Sequence, residues 1–103
     1  MKRYKLMALT NAREGRDDEF GRWYDDQHIP DVLSVPGMVS AERFILIGEG
    51  QHRYMTLYDI ETDDLGAVMA EIGSRQGTDA MPITDAIDGE TASAAVWAPV
   101  SKS

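Results

Sequence analysis

The sequence contains no cysteine, which removes disulfides and thiolate chemistry from consideration at once. Positive charge is scarce as well: ten Lys and Arg stand against eighteen Asp and Glu, for a formal net charge of −8. Nucleic acids and anionic membranes are held by clustered Lys and Arg, so neither suits this chain as a partner. Long apolar runs are missing too. Residues 1–9 place three basic side chains among short apolar stretches, too brief for a signal core or a membrane span, and a soluble cytoplasmic protein is expected. Histidine occurs only twice, as His28 and His52. They are far apart in the chain with no HxH or HxxxH spacing, so no metal centre is expected. Gly48 and Gly50 lack the lysine and the following helix of a phosphate cradle, and neither Ser34 nor Ser40 sits on a nucleophile elbow.

What is present is organised by period. Phe20, Trp23, Tyr24, Gln27 and His28 recur at i, i+3, i+4, i+7 and i+8, which predicts one helix with these five on its inward face. Asp17 or Asp18 is placed to cap it, and Pro30 is expected to end it by pushing Ile29 toward extended geometry. His28 then stands at a helix C-terminus. There the dipole favours the imidazolium while burial opposes it, as suits a proton-transfer group. The competing reading is a core histidine hydrogen-bonded to backbone.

Strands are predicted over residues 3–10, 38–47, 52–60 and 90–100, the middle two joined by the Gly48-Glu49-Gly50-Gln51 loop. A second amphipathic helix carries Leu65, Val68, Met69 and Ile72 and is capped by Thr62 or Asp63. Residues 78–88 are expected to form a loop with at most one helical turn. The order is βαββαβ, an α+β, ferredoxin-like four-stranded antiparallel sheet with two helices on one face, as a single domain over residues 1–103. The uncovered face would show Tyr4 or Met7, Arg43 or Phe44, Tyr54 or Met55, and Trp97. That surface is too apolar for water, so a homodimer stacking two sheets and burying well over about 1,000 Å² is expected.

The segment from Phe20 through Trp23-Tyr24, His28, Pro30-Asp31, Leu33 and Pro36-Gly37 to Phe44 resembles the WY-x-x-x-H-x-P-D-x-L-x-x-P-G signature of EthD-like proteins, within the dimeric α+β barrel superfamily. The resemblance implies a cavity between the first helix and the sheet with His28 at its mouth as general acid or base, walled by Trp23 and Tyr24. It further implies small hydrophobic ligands, aromatic or polyketide-like, and chemistry without a cofactor or metal.

Other side chains are candidates on their own residues. Arg43, mid-strand between apolar neighbours, either pairs with an acid such as Asp59 or enters a wet cavity to polarise a substrate oxygen. Tyr54 and Tyr58 share one strand face and could line a pocket or simply pack. Trp97 could close the same cavity or sit at a dimer seam. Three readings follow: a small cofactor-independent enzyme of proton-transfer chemistry (isomerase, cyclase, lyase or oxygenase), a non-catalytic small-molecule-binding or accessory protein, or a purely structural dimer whose cavity is filled by its own side chains.

Overall fold

The computed structural model describes residues 1–100. The chain runs β1 (Lys2–Thr10), α1 (Asp17–Trp23), a π-helical turn (Tyr24–His28), α2 (Ile29–Leu33), β2 (Met38–Ile45), β3 (Tyr54–Thr62), α3 (Leu65–Arg75) and β4 (Ser93–Trp97). The strands form one antiparallel sheet in the order β2-β3-β1-β4. This is the ferredoxin-like arrangement. Among the described residues no helix is long and apolar enough to cross a membrane.

Pro30 does not end the first helix. The segment from Asp17 to Leu33 stays helical, and Ile29 keeps right-handed helical angles (φ −60°, ψ −49°) directly before the proline. The reason lies in the turn ahead of it, where the Ile29 N–H reaches back five residues to the Tyr24 carbonyl. Such a widened turn absorbs the N–H that proline lacks and moves the preceding carbonyls away from its ring. A wider turn also advances less per residue. Gln27 consequently misses the inward face and bonds Asp31 in solvent at 2.7 Å, while Phe20, Tyr24 and His28 remain buried. His28 therefore lies inside a helical run rather than at its end, and the C-terminal dipole argument does not apply to it.

The caps fall one residue from their expected places. Asp17 lies within the first turn of α1 and its carboxylate accepts the Tyr54 hydroxyl, whereas Asp64 caps α3 by accepting from Ala67 N–H at 3.0 Å. The hairpin loop is longer than its glycines imply, since β2 stops at Ile45, β3 starts at Tyr54, and Leu46 N–H to the Arg53 carbonyl closes the neck. Residues 78–88 form no helical turn. They are instead pinned to the N-terminal loop by Arg13 N–H to the Ala86 carbonyl and Asp88 N–H to the Asn11 carbonyl.

Register decides which way each strand faces. Met7 pairs Leu57, Leu9 pairs Met55, Phe44 pairs Met55 and Trp97 pairs Lys5. Partners across a ladder share a face, so Met7, Phe44, Met55 and Trp97 occupy the side away from the helices. Tyr4, Arg43 and Tyr54 turn toward them. Beneath the helices two buried clusters form: one of Leu6, Val32, Tyr58, Ile60, Ile72 and neighbours, the other of Phe20, Tyr24 and Ala86.

The turn from α2 into β2 requires Gly37, which has φ +100° and whose carbonyl accepts from Glu61 N–H. A Cβ there would come within 2.8 Å of Val68 Cγ2 on α3. Gly37→Ala should lower unfolding free energy by about 2 kcal/mol or more, from left-handed strain plus the overlap, read as a reduced urea midpoint at unchanged slope.

Candidate active site

Between the two buried clusters lies a cavity of about 540 Å³. It exists because bulk is withheld on two sides: Gly73 and Gly77 at the end of α3, Gly89 in the following loop, and Ala92, Ser93 and Ala94 leading into β4 all line it. Leu6, Ala8 and Tyr58 of the sheet form its floor, and Trp23, Tyr24 and His28 of the helical run form a wall. None of the described residues lining it is Asp, Glu, Lys or Arg.

The widened turn sets the wall. The His28 ring stacks on Trp23 with centroids 4.5 Å apart and 21° between planes, and meets Tyr24 edge-on at 5.1 Å. Trp23 is in turn fixed by its indole N–H donating to the Pro82 carbonyl at 3.1 Å. His28 is only 7 % exposed. It lies in the wall, deeper than a residue at the cavity mouth, and its Nδ1 is buried without a hydrogen-bond partner. The backbone tether required by a purely structural histidine is thus missing at that nitrogen. Thr10 Oγ1 and the Tyr58 hydroxyl are likewise buried without a partner, and both residues line the cavity. Three orphaned polar atoms on residues around one space cost about 1–3 kcal/mol each; all three are turned into the protein and have no surface open to the space, so that cost stays until a side chain rotates.

Electrostatics follow from burial. Desolvation pushes the His28 imidazole down from 6.5 to about 4, with the Asp31 carboxylate offsetting part of the effect. Burial also pushes the Tyr24 and Tyr58 phenols above their ordinary range. Near neutral pH the site therefore presents a neutral imidazole and two protonated phenols.

Of the candidates named from sequence, His28, Trp23, Tyr24 and Tyr58 converge on this cavity, and Arg43, Tyr54 and Trp97 do not. Arg43 pairs with Asp25 at 3.1 Å, and its guanidinium carbon lies 5.0 Å from the Tyr24 ring centroid and 5.7 Å from that of Tyr54. Asp59, offered as its partner, is held by Lys5 and Ser40 instead, because the register puts it on the opposite face. Tyr54 is occupied by Asp17. Trp97 is 55 % exposed on the open sheet face. Sequence reasoning did not select Thr10, Met69, Ile72, Ile83 and Ile87 as lining residues. Met69 and Ile72 belong to the stripe of α3, but nothing local shows that a helix stripe stands over a space rather than over packed side chains. Among the described residues no three His, Asp or Glu side chains come together as a metal site.

No family model matches the chain, and no curated protein matches it. Solved structures share its fold. A proposed monooxygenase from Shewanella loihica PV-4 superposes with a TM-score of 0.69 at 9 % identity, over 98 % of this chain and 97 % of that one. An EthD family protein from Bacillus halodurans C-125 gives 0.67 at 19 % identity, over 95 % and 99 %. A single-substitution variant of MhuD, with two manganese protoporphyrin IX bound per active site, gives 0.64 at 16 % identity, over 97 % of each chain.

Because the folded-state pKa of His28 lies below its unfolded value, the unfolded chain takes up this proton first. The stability His28 contributes is complete above about pH 6.5 and is lost as pH falls toward 4, by up to about 3 kcal/mol. The Cε1–H resonance of His28 should titrate with a midpoint near 4, and His28→Gln should flatten the loss of stability measured between those two pH values.

Proposed function

We propose that this chain is an EthD-like member of the α+β barrel proteins that binds a hydrophobic, aromatic or polyketide-like small molecule and performs proton-transfer chemistry on it without a cofactor. The observation that carries the reading is the neutral His28 ring in the wall of a largely apolar cavity that no charged residue among those described lines. A neutral imidazole accepts a proton from an acidic carbon or hydroxyl. An imidazole of low pKa is a weak base, so the matching substrate is one whose developing negative charge lies against the ring and raises its affinity for the proton as it is transferred. Tyr24 and Tyr58, both kept protonated by burial, leave the wall around His28 uncharged. Protoporphyrin IX, bound in the MhuD variant, carries two carboxylates, and the cavity offers no lysine or arginine among its described residues to meet them. That group does not suit this site.

The test needs no knowledge of the natural substrate. Exchange of the acidic C1 protons of 2-tetralone into deuterated water, followed by NMR, reports general-base catalysis directly. Wild-type protein should accelerate it, and His28→Gln should retain the fold and lose about 10²- to 10⁴-fold of the acceleration. Unchanged exchange in the variant removes His28 from the chemistry. Tetralone that binds without exchanging leaves the second reading, a carrier that uses the same cavity.

The open sheet face supports a homodimer. Met7, Leu9, Phe44, Met55, Leu57 and Trp97 share it, an apolar surface that stacking on a second copy would cover. Sedimentation at micromolar concentration should give twice the chain mass, and Leu57→Glu, at the centre of that face, should give the monomer mass.

A further inference from the structure

We propose that the cavity selects for charge: it takes a flat, uncharged ligand bearing a neutral hydrogen-bonding group and rejects the carboxylate or cationic counterpart of the same shape. The inference rests on the small-molecule reading above and narrows it to one class of ligand.

The geometry of the surrounding charges is what carries it. No described residue lining the cavity bears a formal charge. Two cations on elements that build the site are committed elsewhere: Arg43 to Asp25 and the faces of Phe20, Tyr24 and Tyr54, and Arg75 to Glu71 and the Ser34 hydroxyl. What the wall does offer is neutral: the His28 ring and the Gln76 amide, set among the rings of Trp23 and Tyr24 and aliphatic side chains. A carboxylate entering this space would surrender its hydration and meet only neutral dipoles, whereas an amide, ketone or phenol exchanges water for them at little loss. The chain's net charge of −8 adds a long-range term against anions. A cation is drawn by that field but finds no carboxylate in the wall once inside. Burial, which keeps His28 neutral and Tyr58 protonated, acts in the same direction.

Three planar isosteres separate charge from shape: 2-naphthamide, 2-naphthoate and 2-naphthamidinium, titrated at pH 7.5 into the full-length protein. The readout is the backbone amide shifts of Gly73, Gly77 and Gly89, which line the cavity. The amide should bind at least about tenfold more tightly than either ion, a difference of about 1.4 kcal/mol. Either ion binding as tightly as the amide, with those glycines shifting, overturns the selectivity while leaving the cavity reading intact. If none of the three probes shifts them, the small-molecule reading fails first and this inference falls with it. Gln76, whose side chain is exposed at the rim, gives the complementary variant. Gln76→Lys should raise naphthoate affinity severalfold with the spectrum otherwise preserved, since one ammonium supplies the missing partner. Naphthoate still rejected by that variant shows that a missing cationic partner is not what excludes it and overturns the proposal.

Discussion

Much of this structure depends on one widened helical turn. Pro30 removes a hydrogen-bond donor in the middle of a helical run, and the chain answers by bonding Ile29 N–H to the Tyr24 carbonyl, five residues back, instead of breaking. With the run unbroken through Leu33, Val32 still reaches the main core and Gly37 still turns the chain into β2. The same widening turns Gln27 outward and keeps Tyr24 and His28 on the buried side, with His28 stacked on Trp23. A backbone adjustment thus composes the wall of the cavity.

The space that this wall faces is maintained by what the neighbouring segments leave out. Glycine and alanine at the end of α3 and the start of β4 put no bulk beneath the helix. Meanwhile the segment between them is tied down at several points, by Arg13 and Arg16 to Asp85 and by Trp23 to Pro82. Anchored loops with buried Met81 and Ala86 resist collapse into the cavity. An apolar space held open in this way has the character of a small-molecule pocket.

Arg43 shows how charge is kept out of the chamber. It lies on the helix side of β2, close to the site, yet it is wedged against three aromatic rings and paired with Asp25 at the surface. Cation–π contact and an ion pair together satisfy the guanidinium. It therefore supports Tyr24 from behind and presents nothing to the cavity.

Period and punctuation in the sequence determined the element order, the ferredoxin-like class, the inward placement of Phe20, Tyr24 and His28, and the apolarity of the second sheet face. These are local properties, carried by spacing along one element. Alternatives that alternate across a strand were another matter: Tyr4 or Met7, Arg43 or Phe44 and Tyr54 or Met55 differ by one residue, and only the register of paired strands chooses between them. The partner of Arg43, the outward turn of Gln27 and the passage of the helix through Pro30 were decided by tertiary structure for the same reason. Each depends on a group brought close by the fold or on a hydrogen bond rerouted within it. The cavity is the furthest from local information, because a void is a property of what several distant segments do not fill.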